Sequence, residues 1–137
     1  MPASINIELI NKLKNLTDTG KVRWESIPKF LTYNKNEPLR KYIIGINKYF
    51  YASKGPLLME YQSYCAPINE GTVVILKYGE YGRVEYRLAL QPNSSSLVEA
   101  LFDNERFQAD LHDLYENYIE RSLRNQETFI AEILGME

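Results

Sequence analysis

The sequence predicts an α+β domain: an antiparallel meander sheet of four to five strands, with an N-terminal helix and C-terminal helices packed on one face. Three observations carry this. Apolar residues recur at helical spacing near the start of the chain and again after residue 96, whereas the stretch between them is rich in Tyr, Val and Ile and alternates like strands. The links inside that stretch are short, and short links favour antiparallel neighbours because a parallel pair needs a long crossover. At 137 residues the chain is expected to form a single domain, 1–137, able to bury a core without a disulfide or a metal staple.

Ile5, Leu9, Ile10, Leu13 and Leu16 predict a first helix over 4–17, with Ser4 as its N-cap and Thr17-Asp18-Thr19-Gly20 as its stop. Lys21-Val22-Arg23-Trp24-Glu25 then alternates as a short strand. Pro28, Pro38 and Asn34-Lys35-Asn36 mark residues 26–38 as an irregular loop. Four strands are expected next, at about 40–52, 57–65, 72–78 and 83–91. Ser53-Lys54-Gly55-Pro56, the Pro67–Gly71 stretch and the Gly79–Gly82 loop divide them. Ser96 and Glu99 have the spacing of a capping box, which predicts a short helix with Leu97, Val98, Leu101 and Phe102 on its apolar side. Phe107, Leu111, Leu114, Tyr115, Tyr118 and Ile119 form the clearest helical stripe in the chain. Asp110, Asp113, Glu116 and Glu120 occupy the opposite, solvated face. Residues 126–134 extend the helical pattern, with Phe129, Ile130 and Ile133 expected to pack.

Period-two alternation assigns the strand faces. Val84, Tyr86, Leu88 and Leu90 share a side with Val73 and Ile75. Tyr42, Ile44, Ile46 and Phe50 join them from the first strand, and Leu57, Met59 and Tyr61 from the second, as the predicted core. This pairing takes Tyr78 to oppose Arg83. The other face then presents Asn47, Tyr49, Tyr51, Glu60, Gln62, Tyr64, Tyr78, Arg83, Glu85 and Arg87 around Val74 and Leu76.

Eight of the eleven tyrosines fall between Tyr42 and Tyr86. Tyr and Arg are enriched at interaction hot spots, because Tyr offers apolar area at low rotamer cost with a polar tip. Tyr49, Tyr51, Tyr64, Tyr78, Arg83 and Arg87 are therefore the candidate partner-binding residues, and the expected partner is another protein or a second copy in a homodimer. Tyr is also simply a good strand residue that pairs well across a sheet. The main alternative is single-stranded nucleic acid. Lys41, Lys48, Lys54, Lys77, Arg83 and Arg87 are interleaved with tyrosines, as basic grooves with stacking platforms require. The sequence pI of about 5.5 and the acidic Glu60, Glu80 and Glu85 weigh against it.

The net charge of −2 conceals a division: residues 1–92 carry 13 Lys and Arg against 8 Asp and Glu, and residues 93–137 carry 3 against 10. Complementation of the halves within the fold accounts for this, as does a basic face turned to a polyanion.

No catalytic residue, metal site or cofactor is expected. His112 is the sole histidine and reads as a solvated helix residue. Cys65, the sole cysteine, lacks a neighbouring base to form a thiolate and reads as a small buried apolar residue. Gly79-x-x-Gly82 lacks the strand-to-helix setting and the Lys-Ser/Thr pair of a phosphate loop. A lone cysteine, no signal-like opening and no apolar run near ~20 residues imply a cytoplasmic protein without a membrane span.

The opening Leu16-Thr17-Asp18-Thr19-Gly20-Lys21-Val22-Arg23-Trp24-Glu25, after an amphipathic helix, resembles the start of many small uncharacterised bacterial or mobile-element proteins. In these a helix leads through a Thr-x-x-Gly-like turn to a Trp-Glu strand, a small antiparallel sheet and a closing helix. The resemblance covers about twenty residues and implies a similar layout and source, with no activity attached. Small acidic α+β proteins of this size also include immunity and anti-defence factors that neutralise a toxin or effector by binding it, a further form of the protein-contact expectation.

Overall fold

A computed structural model describes residues 2–53, 56–80, 82–101 and 104–136 of the chain. It is α+β: an open antiparallel sheet with an N-terminal helix and C-terminal helices on one face, as the sequence predicts. Helix α1 (Pro2–Asp18) starts ahead of the predicted cap, so Ser4 lies inside it. It ends as expected at Gly20, whose φ of 74° suits a residue without Cβ. The Gly20 amide donates to the Thr17 carbonyl and the Lys21 amide to the Leu16 carbonyl, the paired bonds that close a helix C-terminus. Trp24 Nε1 then donates to Thr17 Oγ1 at 2.9 Å, fixing the exit of α1 to the sheet.

The strand expected at residues 21–25 shrinks to β1 (Glu25–Ser26), and the expected loop at 26–38 contains helix α2 (Ile27–Tyr33). Pro28 falls within the first two helical positions, where a missing N–H costs nothing. The segment predicted as the first long strand, 40–52, is instead helix α3 (Glu37–Ser53). Asn36 starts it: its Oδ1 accepts the Leu39 amide at 3.2 Å, satisfying one of the orphan donors at a helix N-terminus.

The predicted 57–65 strand is broken in two. Strand β2 (Leu57–Leu58) and strand β3 (Tyr64–Ile68) both pair with β4 (Gly71–Glu80), and a 3₁₀ turn at Glu60–Gln62 interrupts them. Across the interruption Ser63 Oγ accepts the Lys77 amide at 2.9 Å, standing in for a strand carbonyl. Strand β5 (Arg83–Gln91) has the predicted bounds and pairs with β4 through a tight hairpin, Glu80 facing Arg83 and Tyr78 facing Glu85. That register lies two residues from the predicted Tyr78–Arg83 pairing, so every side chain keeps its predicted face. Gly82, at φ 80°, supplies the left-handed turn conformation. Strand β6 (Glu99–Ala100) replaces the helix expected after Ser96 and pairs with Ala89 and Leu90; Phe102 lies outside the described residues. The sheet order is β1-β3-β4-β5-β6, with β2 alongside β4.

After a 3₁₀ turn at Asn104–Phe107, one helical run closes the chain: α4 (Gln108–Asp113), a π-helical turn at Leu114–Ile119, and α5 (Glu120–Leu134). With α1 this run covers the face carrying Val73, Ile75, Tyr86 and Leu88. The opposite face, carrying Cys65, Val74, Leu76, Tyr78 and Ala89, is covered by α2 and α3 through Ile27, Phe30, Leu39 and Ile43. The sheet therefore has a core on each side.

Candidate contact surface

Of the six residues singled out in the sequence, Tyr78, Arg83 and Arg87 lie near one another, and Tyr64 lies on the other face of the sheet. Tyr49 and Tyr51 belong to α3 and not to the sheet, and their side chains lie outside the described residues. Tyr78 is on the predicted face, but α2 and α3 cover that face and leave it 9% exposed. The Arg87 guanidinium lies 5.3 Å from its ring centre and pairs with Glu85 at 3.2 Å. Burial, then the nearby Tyr42, pushes the Tyr78 hydroxyl up to about 12. Arg83 is exposed at the hairpin beside a cleft of about 370 Å³ shared with Tyr78, Glu85 and His112. Tyr64 faces the opposite core, since β3 sets it against Ile75, and it leans on Tyr115 at 5.6 Å. The 3₁₀ turn at 60–62 resets the alternation that had placed Tyr64 with Tyr78.

On that opposite face the aromatic rings form one cluster. Tyr86 stacks on Tyr115 at 4.4 Å and takes the His112 ring edge-on at 4.6 Å. Tyr115 donates to the Gln62 carbonyl at 2.5 Å, and Glu116 accepts from Tyr86 at 3.3 Å and lies 3.1 Å from His112 Nδ1. Burial raises both hydroxyls well above the ordinary tyrosine range, and neighbouring phenol and carboxylate groups add to it. These are neutral donors held in a packed layer. Cys65 lies on the other side of the sheet, fully buried, and burial with the Glu25 carboxylate pushes its thiol up to about 12. The thiol and His112 are therefore not brought together. Among the described residues no group of three or more His, Cys, Asp or Glu could hold a metal ion, and no helix is long and apolar enough to cross a membrane.

The free edge of β5 beyond β6 is closed by side chains. Asn104 Oδ1 accepts the Leu88 amide at 3.0 Å while its Nδ2 donates to the Leu88 carbonyl at 3.1 Å. Four residues on, Gln108 repeats the pattern on Tyr86, at 2.9 and 2.5 Å. Two amide side chains thus imitate a neighbouring strand and remove a site where another chain could pair.

An uncovered apolar surface lies on α5, which buries no residue of its own. Leu123 near its start still leans on the core, but beyond Gln126 and Glu127, Phe129 is 61% exposed, Ile130 49%, Ile133 50% and Leu134 80%, and Met136, just past the helix end, is 76% exposed. Between the base of α5 and the β1–β3 edge runs a groove of about 670 Å³. Trp24, Tyr61, Tyr64 and Pro67 line one side, and Glu120, Leu123, Arg124, Glu127 and Ile130 the other. Tyr64 is the one predicted contact residue that lies here. The packing expected of Phe129, Ile130 and Ile133 is absent, and their spacing in the sequence already marked this stripe. No protein-family model matches the chain, and no curated protein or solved structure does either.

Proposed function

We propose that this protein works by protein contact, without chemistry of its own, and that α5 with its adjoining groove is the contact surface. The observation that carries the reading is the bare apolar stripe of α5. Large apolar side chains gathered on one face of a helix and left in water are a standing cost, and a partner groove or helix removes that cost. The aromatic groove beside it adds the Tyr and Trp area that interfaces use. A tyrosine-bearing sheet face has lost its support as the surface, because α2 and α3 lie over Tyr78. The same covering removes the stacking platform that nucleic acid would need.

The test is partner capture from cell extract with the natural chain, with Phe129→Glu and Ile133→Glu, and with Leu97→Glu. Leu97 is 75% exposed in the loop before β6 and serves as the control. Loss of captured protein with both α5 substitutions, and retention with Leu97→Glu, is the expected result. A capture profile that neither α5 substitution changes would overturn the reading.

A further inference from the structure

We infer that the partner of α5 is a second copy of this chain, the two α5 helices lying antiparallel with each stripe covering the other. This rests on the reading of α5 as a contact surface and names its occupant. Area is the first argument. With a large side chain presenting roughly 200 Å², the exposed fractions of Phe129, Ile130, Ile133, Leu134 and Met136 amount to something on the order of 600 Å². That is at the upper limit of what monomers leave as one patch. Two such stripes reach about 1,200 Å², the lower bound for a specific interface, and Tyr61, itself 78% exposed in the adjoining groove, adds to it.

Shape is the second argument. Phe129 and Ile133 stand four residues apart, and Ile130 stands three and four before Ile133 and Leu134, the steps that let helices interdigitate, on a helix of about 22 Å. A two-fold axis is the operation that sets one stripe onto its own copy.

The helix dipoles decide the direction. The stripe lies in the second half of α5, and antiparallel pairing about its middle opposes the two dipoles, whereas parallel pairing aligns them.

The experiment is sedimentation velocity on the full chain over a range of concentrations, repeated with Ile133→Glu and Leu97→Glu. A concentration-dependent dimer is expected, weakened at least tenfold by Ile133→Glu and unchanged by Leu97→Glu, with circular dichroism showing the helices intact. In a Cys65→Ser background, Glu132→Cys, near the middle of the stripe, should cross-link to its own copy with a short bis-maleimide, and Gln126→Cys, nearer the start of the helix, should not. Cross-linking of Gln126→Cys to its own copy would overturn the antiparallel arrangement, and a dimer indifferent to Ile133→Glu would overturn the surface. A chain that stays monomeric to about 1 mM, the weak limit of useful affinity, overturns self-pairing. In that case the contact reading still stands if Ile133→Glu abolishes capture of a different protein, and fails with it if capture is unchanged.

Discussion

Residues 108–119 and residues 120–134 run on as one helix and carry apolar residues at the same spacing, yet the first stretch is sealed against the sheet and the second is open. Leu111, Leu114, Tyr115 and Ile119 are fully buried; Phe129, Ile130, Ile133 and Leu134 are half to four-fifths exposed. An amphipathic pattern states that a face needs covering and is silent on what covers it. In the first stretch the sheet is the cover, with Val73, Ile75, Tyr86 and Leu88 as its side of the core. In the second no described residue supplies one, and that difference is what leaves the stripe of α5 bare.

Truncation separates the two stretches most sharply. Leu114→Ala removes a fully buried side chain and leaves a cavity, at a cost of about 3 kcal/mol. Ile130→Ala in dilute protein should shift stability by less than about 0.5 kcal/mol, because the side chain is half in water already. Urea denaturation at low concentration reads both, dilution being needed because association would stabilise the folded chain. Comparable losses at the two positions would mean that the stripe is covered within the monomer.

Alkali probes the sealed stretch through its own aromatic residue. Burial raises the hydroxyl of Tyr115, and likewise those of Tyr86, Tyr78, Tyr64 and Tyr42. The unfolded chain releases these protons near the ordinary value of about 10, while the folded chain holds them longer. Stability is therefore intact below about pH 10 and is lost as pH rises toward the folded values, about 12 for Tyr78. Phenolate absorbance followed alongside circular dichroism should show part of the tyrosines ionising only as the helices unfold. Complete ionisation of all eleven tyrosines before any loss of helix would contradict the packed ring layer.

At the start of the same helical run the sheet edge gives a smaller effect. Asn104→Leu leaves the buried Leu88 amide without its acceptor, a loss of about 1–2 kcal/mol. Leu88 should exchange its amide hydrogen faster as well, which a merely repacked side chain would not cause. Unchanged exchange at Leu88 would mean that the amide had found another acceptor.

Much of this frame is legible in the residues. The stop of α1 at Gly20, the bounds of β5 and the faces of β4 and β5 follow from turn chemistry and alternation, and the two-residue change in hairpin register left those faces intact. Helix α3 was misread because Tyr42, Ile44 and Ile46 alternate like a strand. The competing signal was Asn36 as a cap, with Pro38 in the first turn and Leu39, Tyr42, Ile43 and Ile46 at helical steps. The capping-box pattern at Ser96 was taken over by tertiary structure: Gln91 Nε2 bonds the Ser96 carbonyl at 3.0 Å and pairs its amide with Asn36, so the chain stays extended into β6. Tyr64 changed face because alternation does not carry across a 3₁₀ turn. The helical pattern of α5 was legible, with Phe129, Ile130 and Ile133 expected to pack, but whether a stripe meets the body of the protein depends on where the helix runs.

The smallest effect is expected where α1 meets the sealed stretch. Lys14 Nζ lies 2.8 Å from Asp113 Oδ2, and this hydrogen bond, with a second from Asn117, holds the Asp113 carboxyl below its usual range. A lowered acid stabilises the folded chain above its unfolded value, near 4, and that contribution disappears as pH falls through the folded value. Lys14→Met should therefore cost about 0.5 kcal/mol at neutral pH, as partly exposed pairs do. The gap from the natural chain should narrow in acid and also in high salt. A gap that holds constant from neutral to acid pH would assign the loss to packing of the lysine stem instead.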